Sequence, residues 1–177
     1  MKFAVMGAGA VGCYFGGLLA RAGYPVTLIA RPEHVRAIEQ DGLRVQTLSF
    51  DERVKLAANT EASAAAGADV VLLCVKSTAT EEACAALRPH LAPGTLVLTL
   101  QNGVDNAQRA QVALGSEVNV AAAVVYVATE MAGPGHVQHH GRGELLLAPC
   151  PRATELVEAF ARAGARVEVS DNVRGAL

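Results

Sequence analysis

The sequence has little of what nucleic-acid-binding, membrane-spanning or secreted proteins require. Its 177 residues carry a formal net charge of only −2. No basic stripe, and no basic run with interleaved aromatic residues, is present, so we expect no nucleic-acid partner. No apolar run is long enough to cross a membrane as a helix, so we expect no membrane partner. The apolar run at 3–6 follows a single lysine and is too short for a signal peptide.

Cysteine is also scarce, and its spacing suggests neither metal binding nor redox chemistry. The four cysteines form no C-x-x-C pair, and each lies among apolar or small residues. We therefore expect buried free thiols, a reducing compartment and hence a cytoplasmic protein. The cysteines are Cys13, Cys74, Cys84 and Cys150.

Three histidines, His136, His139 and His140, lie close together in the sequence. On a helix this spacing would bring their imidazoles together. Glycines and Pro134 flank them, however, which predicts strands, and neighbours on a strand point to alternate faces. No cysteine or carboxylate completes a ligand set, so we expect no metal site.

Alternating strands and helices dominate the pattern of apolar residues. Strands are predicted at 2–6, 24–30, 69–75, 95–100, 118–127 and 166–169. Helices are predicted at 11–22, 32–40, 80–87, 105–114 and 152–163. A small hairpin is predicted from strands at 43–48 and 53–57 joined by a turn at 49–52, and a β-ribbon at 136–148. The alternation predicts an α/β fold with a doubly wound, mainly parallel Rossmann-type sheet.

The most informative motif is Gly7-Ala8-Gly9-Ala10-Val11-Gly12, a G-x-G-x-x-G sequence at the junction of the first predicted strand and helix. In this context the motif predicts a dinucleotide site. Gly7 permits the tight turn, Gly9 lets the backbone approach a pyrophosphate, and Gly12 allows close helix–sheet packing. The phosphates would meet free amides and the positive end of the helix dipole. The alternative is a plain glycine-rich turn.

Arg31 bears on the choice of cofactor. It ends the second predicted strand, about twenty residues past the last glycine of the motif, where NAD-binding domains commonly carry an acid. A carboxylate would repel a ribose 2′-phosphate, whereas the planar guanidinium pairs with it. Glu33, the nearest acid, lies two residues further on. The sequence therefore favours NADP(H) over NAD(H), the alternative being a solvated charge at a strand end.

Two further polar segments follow predicted strands. Lys76 comes after the strand at 69–75, and Gln101-Asn102-Gly103 comes after the strand at 95–100. Both should emerge on the same sheet edge as the glycine motif, where α/β proteins bind ligands. Lys76 offers a point charge for a phosphate or an acidic substrate, and Asn102 a donor and an acceptor for hydroxyl groups. The alternatives are an ordinary loop lysine and a common Asn-Gly turn.

These segments together resemble the ketopantoate reductase (2-dehydropantoate 2-reductase) family over essentially the whole chain. The resemblance rests on five motifs in order: the glycine motif, Arg31, Val75-Lys76-Ser77, Gln101-Asn102-Gly103 and Gly133-Pro134-Gly135. It implies NADPH-dependent reduction of ketopantoate, a small keto acid, to pantoate in pantothenate synthesis. It also implies that Lys76 lies by the cofactor and substrate cleft, that Asn102 contacts the nicotinamide ribose and the substrate, and that Ala128 makes a backbone contact.

The resemblance further implies a catalytic lysine, in a Trp-x-Lys motif shortly after Asp171-Asn172-Val173-Arg174, in an all-helical second domain. The chain ends at Leu177, and no lysine follows Lys76. We therefore expect no catalytic residue in this chain. Residues 1–170 should form the dinucleotide-binding domain, and residues 171–177 should begin the connection to the absent helical substrate domain. NADPH binding without appreciable reductase activity is the expected result.

Two other functions fit the same residues. One is the NADP-binding domain of another dehydrogenase acting on a small hydroxy or keto acid, and the other is a non-catalytic NADP(H)-sensing module.

One part of the surface should face the position of a second domain: Tyr126, Val127 and the end of the last helix. Apolar surface exposed there would favour self-association, for example as a homodimer.

Overall fold

The computed structural model describes residues 1–103 and 105–176, and the strands within them form one mixed sheet. In chain order these are β1 (Phe3–Met6), β2 (Val26–Ile29), β3 (Leu43–Gln46), β4 (Asp51–Val54), β5 (Ala57–Asn59), β6 (Val70–Leu73), β7 (Leu96–Thr99), β8 (Asn119–Gly133), β9 (His136–Leu147) and β10 (Val167–Val169). The helices are α1 (Ala10–Arg21), α2 (Pro32–Asp41), α3 (Thr80–Leu87), α4 (Asn106–Leu114), α5 (Ala153–Arg162) and α6 (Val173–Ala176). The strand order is β4-β3-β9-β8-β7-β6-β1-β2-β5, with β10 also beside β9.

The half of the sheet that carries the glycine motif is parallel. The strands β5, β2, β1, β6, β7 and the start of β8 all run in one direction, with β1 between β2 and β6. Helices α1 and α5 pack on one face, and α3 and α4 on the other, so β6 and β7 are buried on both sides. This arrangement confirms the predicted α/β, Rossmann-type fold.

The remainder of the sheet curls around α1. Strand β8 continues well past the predicted end at residue 127 and pairs antiparallel with β9, which in turn pairs in parallel with β3. Helix α1 is therefore enclosed on two sides, and small residues make this possible. A Cβ at Gly16 would lie 2.7 Å from Leu28 Cδ2, and one at Gly17 would lie 2.8 Å from Val45 Cγ2.

The predicted turn at 49–52 was wrong by two residues. The hairpin pairs Gln46 with Asp51, which places the turn at 47–50. The Thr47 hydroxyl accepts hydrogen bonds from the amides of Ser49 and Phe50, at 3.1 and 3.0 Å, and this side-chain turn sets the register. Residue 57, predicted in the hairpin, instead begins β5, which pairs in parallel with β2.

Tyr126 and Val127, expected on a bare apolar face, are only partly exposed. The guanidinium of Arg142 covers the Tyr126 ring, 4.7 Å from its centroid. Self-association thus stays a prediction, and light scattering against the chain mass of 18.3 kDa tests it.

Among the described residues, no helix combines the length and apolar character needed to cross a membrane. Leu177 lies outside the described residues.

Candidate cofactor-binding site

A cleft of about 800 Å³ opens at the carboxyl ends of β1, β2 and β6. These three strands are parallel neighbours, so their ends meet at one edge of the sheet, as the sequence predicts. Part of the predicted site comes together here. The predicted residues that line the cleft are Gly7, Ala8, Gly9, Arg31 and Lys76.

The first glycine of the motif cannot be replaced without strain. Gly7 has a φ of +83°, which L side chains rarely adopt. A Cβ there would lie 2.5 Å from Val75 Cγ1 and 2.8 Å from the Val75 amide nitrogen. The tight turn therefore depends on glycine for its backbone angle and for its packing.

The other two glycines serve different purposes. A Cβ at Gly9 would meet no atom within 4 Å, so the space above this residue is open to a ligand. A Cβ at Gly12 would lie 2.8 Å from Val5 Cγ1, so this glycine lets α1 approach β1. The structure thus separates a glycine that faces open space from a packing glycine, and contact between Gly9 and a pyrophosphate stays a prediction.

The start of α1 presents unoccupied backbone donors. Gly9 is the N-cap without a side-chain hydrogen bond, and the first turn contains no acidic residue. The Cys13 amide makes the first hydrogen bond of the helix, to the Gly9 carbonyl at 2.8 Å. The amides of Ala10, Val11 and Gly12 precede it and have no partner within the helix. Free amides and the positive end of a helix dipole are the groups with which a helix start can bind an anion.

Two cations face the cleft from opposite sides. Arg31 is the N-cap of α2, and Lys76 precedes a short 3₁₀ helix at Ser77–Ala79. Both side chains are exposed, and neither forms an ion pair with another described residue. No carboxylate is among the described residues that line the cleft. The charge at this edge therefore favours an anionic ligand.

A network of side-chain hydrogen bonds, buried at Thr80 and exposed at Ser77, holds the turn that carries Lys76. The Gln101 side-chain amide donates to the Val75 carbonyl at 3.0 Å and to the Thr80 hydroxyl at 2.8 Å. Arg109 donates to the Ser77 carbonyl at 2.7 Å. Sequence reasoning missed Gln101 and Arg109 in this role, because each contacts a turn more than 20 residues away.

Asn102 and Ala128 lie apart from the cleft. Asn102 is exposed after β7, and its carbonyl accepts a hydrogen bond from the Asn106 side chain at 2.6 Å. Ala128 pairs with Gly141 inside β8, five residues before the strand ends. The strand predicted at 118–127 would place Ala128 just past its end, and that boundary was wrong because β8 runs to Gly133.

The histidines of β9 make separate contacts. His136 bonds to the Gln46 side chain, His139 to the Arg142 carbonyl, and His140 to the Glu130 carboxylate. Across the described chain, no group of three or more His, Cys, Asp or Glu side chains could hold a metal ion.

Known proteins are similar to this chain both in sequence and in fold. A family model described as ketopantoate reductase PanE/ApbA matches residues 3–152. The 2-dehydropantoate 2-reductase of Pyrococcus horikoshii is 35% identical, over 99% of this chain and 58% of its own length. A crystal structure of a PanE/ApbA family ketopantoate reductase from Ralstonia eutropha JMP134 is 63% identical, with a TM-score of 0.97 over 100% of this chain and 59% of that one.

A third similarity is to an enzyme with a different name. The ternary structure of D-mandelate dehydrogenase with NADH and anilino(oxo)acetate is 27% identical, with a TM-score of 0.86 over 98% of this chain and 58% of that one. This chain spans less than two thirds of the length of each of these relatives. The family match covers most of its residues, and by sequence and fold the chain belongs to the ketopantoate reductase family.

Proposed function

We propose that this chain binds NADPH and supplies the cofactor-binding part of an enzyme that reduces ketopantoate to pantoate, in pantothenate biosynthesis. The family supports the reaction. The cofactor is supported by one observation: a cleft with two cations, Arg31 and Lys76, and no carboxylate among its described lining residues. A dinucleotide that carries an additional phosphate suits such a cleft better than one that does not.

Each part of the cleft has a role in this proposal. The amides at the start of α1 bind the pyrophosphate in the open space above Gly9. Arg31 pairs with the 2′-phosphate, and Lys76 orients the nicotinamide end or the substrate carboxylate. Outside the cleft lining, Asn102 binds the ribose or the substrate hydroxyl where the nucleotide extends beyond the cleft, and Ala128 contributes a backbone contact there. NADPH, when bound, supplies the hydride.

Titration of NADPH and NADH against wild type and Arg31→Ala tests the cofactor assignment. A charge-assisted hydrogen bond contributes about 1.5–3 kcal/mol. We therefore expect wild type to prefer NADPH by roughly 10- to 150-fold, and Arg31→Ala to lose most of that preference. Arg36→Ala, an exposed cation of α2 outside the cleft lining, is the matched control. An unchanged preference in Arg31→Ala overturns the assignment.

A second candidate is NADH-linked reduction of another small 2-keto acid. It is favoured by the similarity to D-mandelate dehydrogenase, whose structure contains NADH. Steady-state oxidation of NADPH and NADH, with ketopantoate and with an aromatic 2-keto acid, separates the candidates when it is measured on the complete gene product. Turnover with ketopantoate and NADPH supports the first proposal. Nucleotide binding without turnover on any keto acid would instead indicate a sensing module.

A cytoplasmic location is also part of the proposal. All four cysteines are free. Burial raises the pKa of the Cys13 thiol to about 12, so this thiol stays protonated and unreactive at neutral pH. Free, unreactive thiols fit a reducing compartment.

A further inference from the structure

His34 lines the same cleft as Arg31 and was not foreseen from the sequence. It lies in the first turn of α2, three residues after Arg31, and is half-buried. Residues three apart at the start of a helix lie on the same side. His34 therefore stands next to Arg31, at the position proposed for the 2′-phosphate.

The hydrogen bonding of His34 defines which ring nitrogen can reach a ligand. Its Nδ1 accepts a hydrogen bond from the Gly135 amide at 3.1 Å. A ring nitrogen that accepts carries no proton, so in the neutral imidazole Nε2 carries the hydrogen. Nε2 has no hydrogen-bond partner among the described residues. It is not among the buried side-chain atoms that lack a partner, so it is not closed off inside the protein. One N–H donor is thus oriented and free.

The partner of His34 is itself held firmly. Gly135 forms the tip of the β8–β9 hairpin with a φ of +65°, and a Cβ there would lie 3.0 Å from the Ala37 Cβ. Its carbonyl accepts a hydrogen bond from the Arg44 amide at 2.9 Å. The tip therefore packs on α2 and fixes the orientation of the His34 ring, whereas an unrestrained surface side chain can rotate.

We infer that His34 donates a hydrogen bond from Nε2 to the ribose 2′-phosphate, and that the β8–β9 hairpin tip pre-orients this donor. The inference rests on the proposed function, since it requires a 2′-phosphorylated nucleotide in this cleft. An oriented neutral donor beside a guanidinium adds selectivity for phosphate without adding charge. Specificity for NADP(H) would then depend on residues 101 apart in the sequence.

Two substitutions test the roles of the two ring nitrogens of His34 separately. His34→Asn places an amide oxygen near the position of Nδ1 and removes the Nε2 donor. His34→Gln places an amide near the position of Nε2 and removes the acceptor for Gly135. Each variant, with wild type and the exposed His90→Asn as control, is titrated calorimetrically with adenosine 2′,5′-bisphosphate and with 5′-AMP. Thermal unfolding by circular dichroism is recorded alongside.

We expect His34→Asn to bind the 2′,5′-bisphosphate about tenfold or more weakly, with 5′-AMP binding and unfolding temperature close to wild type. His34→Gln should lower the unfolding temperature and retain more of the preference. If His34→Asn binds both nucleotides as wild type does, the ring only anchors the hairpin and the inference is overturned. If wild type itself does not prefer the 2′,5′-bisphosphate, the proposed cofactor is overturned as well, which is a distinguishable result.

Discussion

Substitution by alanine should have opposite effects at Gly7 and Gly9. At Gly9 it should weaken NADPH binding with little change in stability, and at Gly7 it should lower stability. At Gly9 an added methyl group meets no protein atom within 4 Å. Gly9→Ala should therefore change the free energy of unfolding by no more than about 0.5 kcal/mol. The methyl group would occupy the space proposed for the pyrophosphate. A forced close contact costs about 1–3 kcal/mol, so NADPH should bind roughly 5- to 150-fold more weakly.

Gly7→Ala is the structural counterpart. A side chain at a positive φ costs about 1–2 kcal/mol. The contact with the Val75 backbone nitrogen, at 2.8 Å, adds about 1–3 kcal/mol, because backbone cannot move aside as a flexible side chain can. Gly7→Ala should therefore lower the free energy of unfolding by about 2–5 kcal/mol.

The assays must suit a chain without tryptophan. Urea unfolding is followed by circular dichroism at 222 nm, and binding by the fluorescence of NADPH itself. Two results would contradict these predictions: Gly9→Ala binds NADPH as tightly as wild type, or it destabilises the chain as much as Gly7→Ala does. The first result would place the phosphates elsewhere, and the second would mean that Gly9 is needed for folding.

Further predictions concern the turn that carries Lys76. Gln101→Leu leaves the buried Thr80 hydroxyl and the Val75 carbonyl without their donor, so urea unfolding should show a loss of about 1–3 kcal/mol; no loss would mean that water replaces the amide. Hydrogen bonds from Arg109 lower the pKa of the Glu81 carboxyl to about 2 from its ordinary value of 4.5. A lowered folded-state pKa stabilises the fold above pH 4.5, and this contribution is lost as the pH falls from 4.5 towards 2. The urea midpoint of wild type should therefore fall more steeply over that range than that of Glu81→Gln, and parallel curves would contradict the assignment.

Much of the site follows from local sequence patterns. The apolar strand before Gly7 and the amphipathic helix after Gly12 predict a strand, turn and helix, and the structure has all three. Arg31 and Lys76 each follow an apolar run that forms a parallel strand. The carboxyl ends of neighbouring parallel strands meet at one edge, so the topology rule alone is enough to expect both cations in one cleft.

Only the tertiary structure decided how the remaining strands close around α1. Strand β9 pairs with β8 on one side and with β3 on the other, and no local pattern distinguishes a ribbon that stands alone from one that pairs with β3. That pairing brings Gly135 to His34 and so adds an oriented donor to the cleft. Gln101 likewise acquires its role through contacts with a distant turn. Such contacts depend on which surfaces are left unpaired once the whole chain has folded, whereas turns, strands and helix starts depend on neighbours in sequence.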